Sequence, residues 1–366
     1  MNNMKKIFTL FFTLLVVVFT NAQSDFEIAS SFMSKKGVTL VYDTYSNNRA
    51  SANEDKPYSI FHGVNDKGFA IVKDGVVVGY SIENSIDEGN MPCALEGMLG
   101  GQATKNSRRA ARNTTPIEPL VKSKWGQYEF AKTYLNKRPD VGICVLVAYA
   151  QLIHFWRIPQ TYEEFTIDNE DNHLYGKTLI TTFDHDKLLD EYKEGEYTQE
   201  NVDEIAKFYF YINRIFTSFV DEEKVLNVEK EKVNTKAENR NTEFDKLLDK
   251  GVPFFVLGFN HAYVVDGRDS EGRYHANFGW GGSANGYYYF LEEGDAITND
   301  TVIYTHGVPC LVSIIPKGWT SSVSSVKSDV PKSDDVYDIK GQKVGNNLEG
   351  LPNGVYIMDG KKHMVK

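Results

Sequence analysis

Residues 141–156, VGICVLVAYAQLIHFW, are almost wholly apolar. A helix that is apolar all round has no face to show to water, so the rest of the chain must build a core around this segment. Pro139, Asp140 and Gly142 supply breaking residues just upstream, and Pro159 stops the run. The segment therefore reads as a buried helix whose one thiol, Cys144, sits at its mouth. His154 lies ten residues further along the same helix. At about 1.5 Å of rise per residue it is too distant to touch Cys144.

The surrounding pattern divides the chain. Residues 24–100 show strand-like alternation in YSIFHGV, KGFAIVKDG and VVVGYSI, which reads as a small β-rich module. Residues 100–116, GGQATKNSRRAARNTTP, are polar and small, and carry Lys105, Arg108, Arg109 and Arg112. An exposed basic linker of this kind is a natural site of proteolytic cleavage. After the buried helix, TQENVDEIAKFYFYINRIFTSF (198–219) reads as a second helix, with Thr198 as its N-cap and Glu200 and Glu204 in its early turns. Residues 222–250 are highly charged and read as a surface excursion followed by a short helix. VPFFVLGF, HAYVVDG, RYHANFGW, GYYYFLE and PCLVSIIP then read as strands separated by turn residues. Helices followed by strands point to an α+β domain. Residues 317–334 are Ser-rich and linker-like, and 335–366 read as short β hairpins.

The N-terminus has a separate meaning. MNNMKK is basic, IFTLFFTLLVVVFT is apolar, and small residues offer a cleavage site after Ala22. This is the layout of a secretory signal, and the apolar run is shorter than the roughly 20 residues a spanning helix needs. The expectation is an exported chain with no stable membrane span. The net charge of -10 argues against nucleic acid as a partner. The three cysteines, Cys93, Cys144 and Cys310, are an odd number, so at least one is unpaired within a monomer. No metal-ligand spacing, phosphate-binding glycine loop or cofactor signature is visible, so neither metal nor cofactor is expected.

An unpaired thiol at a helix mouth has a possible chemistry. A helix N-terminus and a nearby imidazolium both favour the thiolate. His261 opens the strand HAYVVDG, and a hairpin about DSEG would bring Asn277 towards it. This is a nucleophile–base–orienter arrangement. Gln127, in KSKWGQ, is placed to donate to an oxyanion beside the backbone N–H of Cys144. Each feature alone has an ordinary structural reading, since a buried cysteine on an apolar helix is usually a small core residue.

Together they resemble a family. SKWGQ, CVLVAYAQLIHFWRIP and HAYVVDGRDSEGRYHANFGWGGSANGYYYF are similar to the oxyanion, nucleophile and histidine segments of the streptopain family (peptidase family C10) of secreted papain-like cysteine proteases, as found in streptococci and Bacteroides-type bacteria. YSIFHGVNDKGFAIVKDGVVVGYSIENSIDEGNMPCALEGML is similar to that family's inhibitory propeptide.

The resemblance implies a papain-like α+β fold, a central helix packed on an antiparallel sheet or barrel, preceded by a small α+β propeptide domain. It implies Cys144 as nucleophile, His261 as general base, Gln127 in the oxyanion hole and Asn277 beside the base. Trp280, Gly281 and Gly282 would shape the cleft. The implied division is a signal peptide at 1–22, a propeptide with its cleavable linker at 23–112 and a peptidase domain at 113–316. A linker at 317–334 and a terminal β module at 335–366 complete it. The terminal module resembles the end of the sorting domains that Bacteroidetes use for export. The implied partners are protein or peptide substrates and the chain's own propeptide, in a secreted or surface-attached zymogen.

Three residues depart from the family pattern: Ile143 and Asn260 stand where glycines are usual, and Phe278 where tryptophan is usual. The first two could crowd the cleft, and the third would deprive His261 of an indole support. They keep a second reading open, a weak or inactive homologue acting as an inhibitor or a surface binding protein.

Overall fold

The computed structural model describes residues 24–41, 58–100, 114–127, 143–158, 165–166, 178–179, 184–217, 221–234, 237–258, 261–289, 310–320, 336–338, 343–348, 351–352, 354–358 and 361–365. The signal segment and the basic linker with Lys105, Arg108, Arg109 and Arg112 lie outside them. Among the described residues no helix is long and apolar enough to cross a membrane. Residues 1–319 and 320–366 form two compact units.

The first unit is organised by one nine-stranded antiparallel sheet. Strands β1 (Ser59–His62), β2 (Phe69–Lys73) and β3 (Val76–Ser81) come from the N-terminal module. Two short strands, β4 (Phe165–Thr166) and β5 (Thr178–Leu179), pair separately. The remaining members are β6 (Val228–Asn234), β7 (Phe254–Gly258), β8 (His261–Arg268), β9 (Tyr274–Asn277), β10 (Gly286–Tyr288) and β11 (Cys310–Pro316). The order is β1-β2-β3-β10-β9-β8-β7-β11-β6.

Among the described residues six helices flank this sheet: α1 (24–34), α2 (Cys93–Gly100), α3 (Ile143–Trp156), α4 (Gln199–Thr217), α5 (Glu222–Val225) and α6 (Ala237–Leu248). Side-chain alternation along the strands explains the layering, because successive residues point to opposite faces. Phe255, Ala262, Val264, Val312 and Ile314 join a core with α3 and α4. Their neighbours Phe254, Val256, Tyr263, Val265 and Leu311 join a second core with α2 and α6. Both faces of the central strands are thus covered, which is why those strands are almost continuously apolar. The second unit contains its own four-stranded sheet, built from β12 (Val336–Asp338), β13 (Lys343–Gly345), β14 (Gly354–Met358) and β15 (Lys361–Val365).

Two features differ from the sequence expectation. The charged stretch after α5 is not a surface excursion. Residues 228–234 form the edge strand β6, paired with β11 over its whole length. Alternating Glu and Lys suit an edge position, where they discourage pairing with another chain while Val228 anchors the strand in the core. The N-terminal module, in turn, does not fold as a separate sheet. β3 pairs with β10, with Tyr80 opposite Tyr287 and Gly79 opposite Tyr288, so its strands extend the sheet of the body.

That junction is reinforced by a buried cation. Arg273 donates from Nε and Nη2 to the Val77 carbonyl at 3.1 and 3.0 Å, and from Nη1 to Asp269 at 2.9 Å. Its guanidinium lies over the rings of Phe32, Tyr80 and Tyr289. The Tyr80 hydroxyl donates to Asp269 at 3.2 Å. Burial first, and the Asp269 charge second, push the Tyr80 phenol far above its ordinary range, so it stays a donor.

At the C-terminal end of α3, His154 Nδ1 lies 3.0 Å from His185 Nδ1, and the His154 ring packs on Trp125. Burial, with the neighbouring His185 and Arg157, pushes His154 down to about 3. Burial and Arg157 push His185 down to about 4. Both are neutral in the folded protein at pH values where an unfolded histidine, near 6.5, already binds a proton. Their stabilising contribution is therefore complete above pH 6.5 and is lost as pH falls from there towards 4 and 3. The expected result is a urea midpoint that drops between pH 7 and pH 5. In the double variant His154→Gln/His185→Gln that drop should be visibly smaller.

Candidate active site

Cys144 is the second residue of α3 and is partly buried. The helix behind it is rigid because Leu146, Val147, Ala148, Tyr149, Ala150, Leu152 and Ile153 are all buried. Helix α3 packs along β8, the strand that His261 opens. Nucleophile candidate and base candidate are therefore held by two elements sharing one core.

His261 is buried, and its Nε2 donates to the Phe278 carbonyl at 2.8 Å. That contact assigns the proton to Nε2 and leaves Nδ1 as the acceptor. Burial lowers the His261 pKa below its ordinary value, and the Phe278 carbonyl opposes the shift by favouring the protonated ring. No hydrogen bond joins the Cys144 thiol to His261 in this structure. Trp280 meets the imidazole edge-on, with ring centroids 6.3 Å apart.

Asn277 is not where the sequence expectation put it. β8 and β9 do form the expected hairpin, but Asn277 pairs with Val264, three residues beyond His261. Its amide makes no hydrogen bond to the imidazole. Nδ2 donates to the Ser123 carbonyl at 2.8 Å and to Gln151 Oε1 at 3.1 Å, while Oδ1 accepts from the Gly279 N–H at 3.1 Å. The group that holds His261 is the main-chain carbonyl of the next residue. The bond that holds His261 thus comes from a carbonyl that any residue at 278 would offer. Side-chain reasoning could not have found this contact. Ile143 takes the first position of α3, half-buried against the core, and Asn260 lies outside the described residues.

Gln127 is half-exposed at the end of a well-anchored segment. Trp125 donates from Nε1 to the Leu189 carbonyl at 2.7 Å, and its own carbonyl accepts from the Gly281 N–H at 3.2 Å. The glycine loop is thereby tied to the strand of chain that carries Gln127. Gly279, Gly281 and Gly282 have φ values of 70°, 66° and 88°, a region that suits glycine.

The N-terminal module reaches this loop. The Ala284 N–H donates to the Ser85 carbonyl at 2.8 Å, and Asn84 Nδ2 donates to the Asn285 carbonyl at 3.1 Å. Glu83 lies 3.8 Å from Lys124. At the first position of α2, the Cys93 thiol is pushed up by partial burial and then by the charge of Cys144. Module residues 83–85 therefore lie along the loop that borders the candidate cleft. No group of three or more potential metal ligands occurs among the described residues.

Comparisons with known proteins agree with the sequence resemblance. The profile of the Peptidase C10 family matches residues 217–288, which include His261 and Asn277 but not Cys144 or Gln127. The chain is 22% identical over 328 residues to the thiol protease/hemagglutinin PrtT of Porphyromonas gingivalis, covering 72% of this chain and 38% of that protein. It is 37% identical over 51 residues to streptopain of Streptococcus pyogenes, 13% of each chain. The chain thus spans well under half the length of the curated relatives it matches. Among solved structures, a mutant fragment of prointerpain A from Prevotella intermedia is similar. It has a TM-score of 0.51 and 17% identity, and the match covers 75% of this chain and 98% of that one. The resemblance to the streptopain family holds, and the α+β fold with its large antiparallel sheet is shared with prointerpain A.

The turn that presents the Phe278 carbonyl leaves no room for a side chain. A Cβ on Gly279 would stand 2.9 Å from Val147 Cγ1, on the first turns of α3. Gly279→Ala should cost about 1–3 kcal/mol of stability, from the positive φ and from overpacking against a stiff valine. Denaturant unfolding measures this. Adding Val147→Ala should restore part of the loss if the clash contributes as the geometry implies.

Proposed function

We propose that this chain is a secreted cysteine endopeptidase made as a zymogen, with Cys144 as nucleophile and His261 as general base and acid. The observation that carries the reading is the pairing of two rigid mounts. Cys144 sits at the positive end of a buried helix, and that helix packs on the strand opened by a histidine whose Nε2 is already held. The likeness to the streptopain-like peptidases supports it.

In this mechanism the Cys144 thiolate attacks the scissile carbonyl carbon. Its oxygen becomes an oxyanion and accepts from the Gln127 side-chain N–H and the Cys144 backbone N–H. The C–N bond breaks as His261 gives its Nδ1 proton to the leaving amine, leaving a thioester. Water then attacks the thioester, His261 takes a proton from it, and the thiolate leaves with the acid as product. The Phe278 carbonyl keeps the ring oriented through both transfers, and Asn277 acts behind it. Trp280, Gly281 and Gly282 line the cleft.

Residues 23–112 are proposed as the inhibitory propeptide, cut within Lys105–Arg112, and 113–316 as the peptidase domain. The contacts of Asn84 and Ser85 with the glycine loop favour this role. After the 317–334 linker, the terminal module at 335–366 is proposed as an export signal. The missing Cys144–His261 hydrogen bond suits a zymogen, and it equally suits an inactive homologue used as a binding protein. Turnover under reducing conditions separates the two.

Three outcomes are expected. Cys144→Ala abolishes hydrolysis of a denatured protein and, where maturation is autocatalytic, accumulates as the uncut precursor, seen by mass spectrometry. Gln127→Ala lowers kcat by about 10²–10³ with little change in KM. A pure KM effect would make Gln127 a binding residue. The pH–rate profile is bell-shaped: the acid limb protonates the thiolate and the alkaline limb deprotonates the imidazolium. Burial of His261 moves the alkaline limb towards lower pH. A flat profile from pH 4 to 10 rules the ion-pair mechanism out.

A further inference from the structure

We propose that Gln151 is a positioning residue for the peptidase reaction, acting through a buried amide pair with Asn277. The inference rests on the peptidase reading above. Gln151 lies about two turns below Cys144 on α3 and is fully buried, the one amide in an otherwise apolar run. A leucine or methionine would satisfy the core there, so an amide in that place requires partners.

It has partners on two other segments, so that with its own helix three are joined. Gln151 Oε1 accepts from the Asn277 amide at 3.1 Å, from the Trp125 N–H at 3.3 Å and from the Ser123 hydroxyl at 3.3 Å. Gln151 Nε2 donates back to Asn277 Oδ1 at 3.5 Å. Asn277 spends its remaining capacity on the Ser123 carbonyl and the Gly279 N–H. Asn277 is thus fully engaged, and both polar atoms of Gln151 have partners, as buried polar groups must.

Each bonded segment carries a different part of the site. Helix α3 carries Cys144, segment 123–127 carries Gln127, and the 277–279 turn aims the Phe278 carbonyl at His261 Nε2. The amide pair joins all three through side-chain contacts. It acts on the base indirectly: Gln151 holds Asn277, Asn277 closes the turn, and the turn sets the carbonyl. Loosening it should weaken the Nε2–Phe278 bond. That bond favours the protonated ring, so its loss lowers the His261 pKa further. Burial lowers the same pKa, and in the proposed ion pair the Cys144 thiolate raises it.

The test compares wild type with Gln151→Leu and Gln151→Glu, each expressed as the full chain and allowed to mature under reducing conditions. Rates are normalised to titrated thiol, so that misfolded protein does not count. Gln151→Leu is expected to lower kcat by about 10- to 100-fold at little-changed KM, as a displacement on the order of an ångström does. It should also shift the alkaline limb of the pH profile to lower pH. In Gln151→Glu the carboxylate faces Asn277 Oδ1 and activity is low at pH 7. On acidification the neutral acid can donate to that oxygen, so activity relative to wild type recovers towards pH 5.

An unchanged alkaline limb with kcat per thiol within twofold of wild type, in Gln151→Leu, overturns the proposal. So does a loss confined to the yield of folded protein. The His261 imidazole signal, followed by nitrogen-edited NMR in the full chain, needs no turnover. If wild type hydrolyses nothing, the peptidase reading fails on its own, and this signal decides the amide pair. A protected Nε2–H lost in Gln151→Leu sustains the pair, and an unchanged signal refutes it.

Discussion

The burial of a largely apolar helix against the middle of an antiparallel sheet is the constraint on which the rest of this structure depends. Helix α3 can exist only if every face meets protein, and it does so by packing on β7, β8 and β11 while α4 closes over it. The arrangement fixes one end of the helix in space. Cys144 stands at that end, where the unpaired N–H groups of the first turn favour negative charge. The same packing fixes the start of β8 and with it His261. Positions that chemistry needs held to a fraction of an ångström are set by hydrophobic contacts that have no chemistry of their own.

A second constraint joins the N-terminal module to the body. The β3–β10 pairing continues the sheet, and Arg273 sits at the seam with its charge matched by Asp269 and its donors used by the Val77 carbonyl. A buried guanidinium left without its acceptors is costly, by roughly 3–5 kcal/mol in comparable cases. The seam is therefore a specific junction rather than a loose tether. Residues 83–85 of the same module bond the glycine loop, so the module meets the body at two places, the Arg273 seam and the loop.

The sequence made much of this legible. Alternation located β1, β2, β3 and the five C-terminal strands of the sheet, and the apolar run located α3 with Cys144 at its mouth. What escaped has physical reasons. Strand β6 reads as a charged excursion because an edge strand carries Glu and Lys where a central strand carries Val and Ile. The module's continuity with the body is invisible because strand order is a long-range property: β3 and β10 lie some two hundred residues apart. Hairpin logic places Asn277 near His261, but the register sets it opposite Val264, and its amide bonds Gln151 on α3 instead. Gln151 is not legible as a contact because a polar residue in a largely apolar helix gives no hint of which segments it will bond.

The least legible part of the site is the group that holds the base. Sequence comparison weighs side chains, so an indole exchanged for a phenyl ring at 278 looks like a missing hydrogen bond. In the structure the bond to the imidazole comes from the main chain, which every residue type supplies. The Phe278 ring has a different task. It is fully buried against Tyr263 and Tyr288, and its own N–H donates to Asn285 Oδ1 at 2.9 Å. Side chain and backbone of one residue thus divide the work. The ring fixes the turn from the α2 and α6 face, the amides of Gln151 and Asn277 fix it from the α3 face, and the carbonyl between them is left a single direction in which to point.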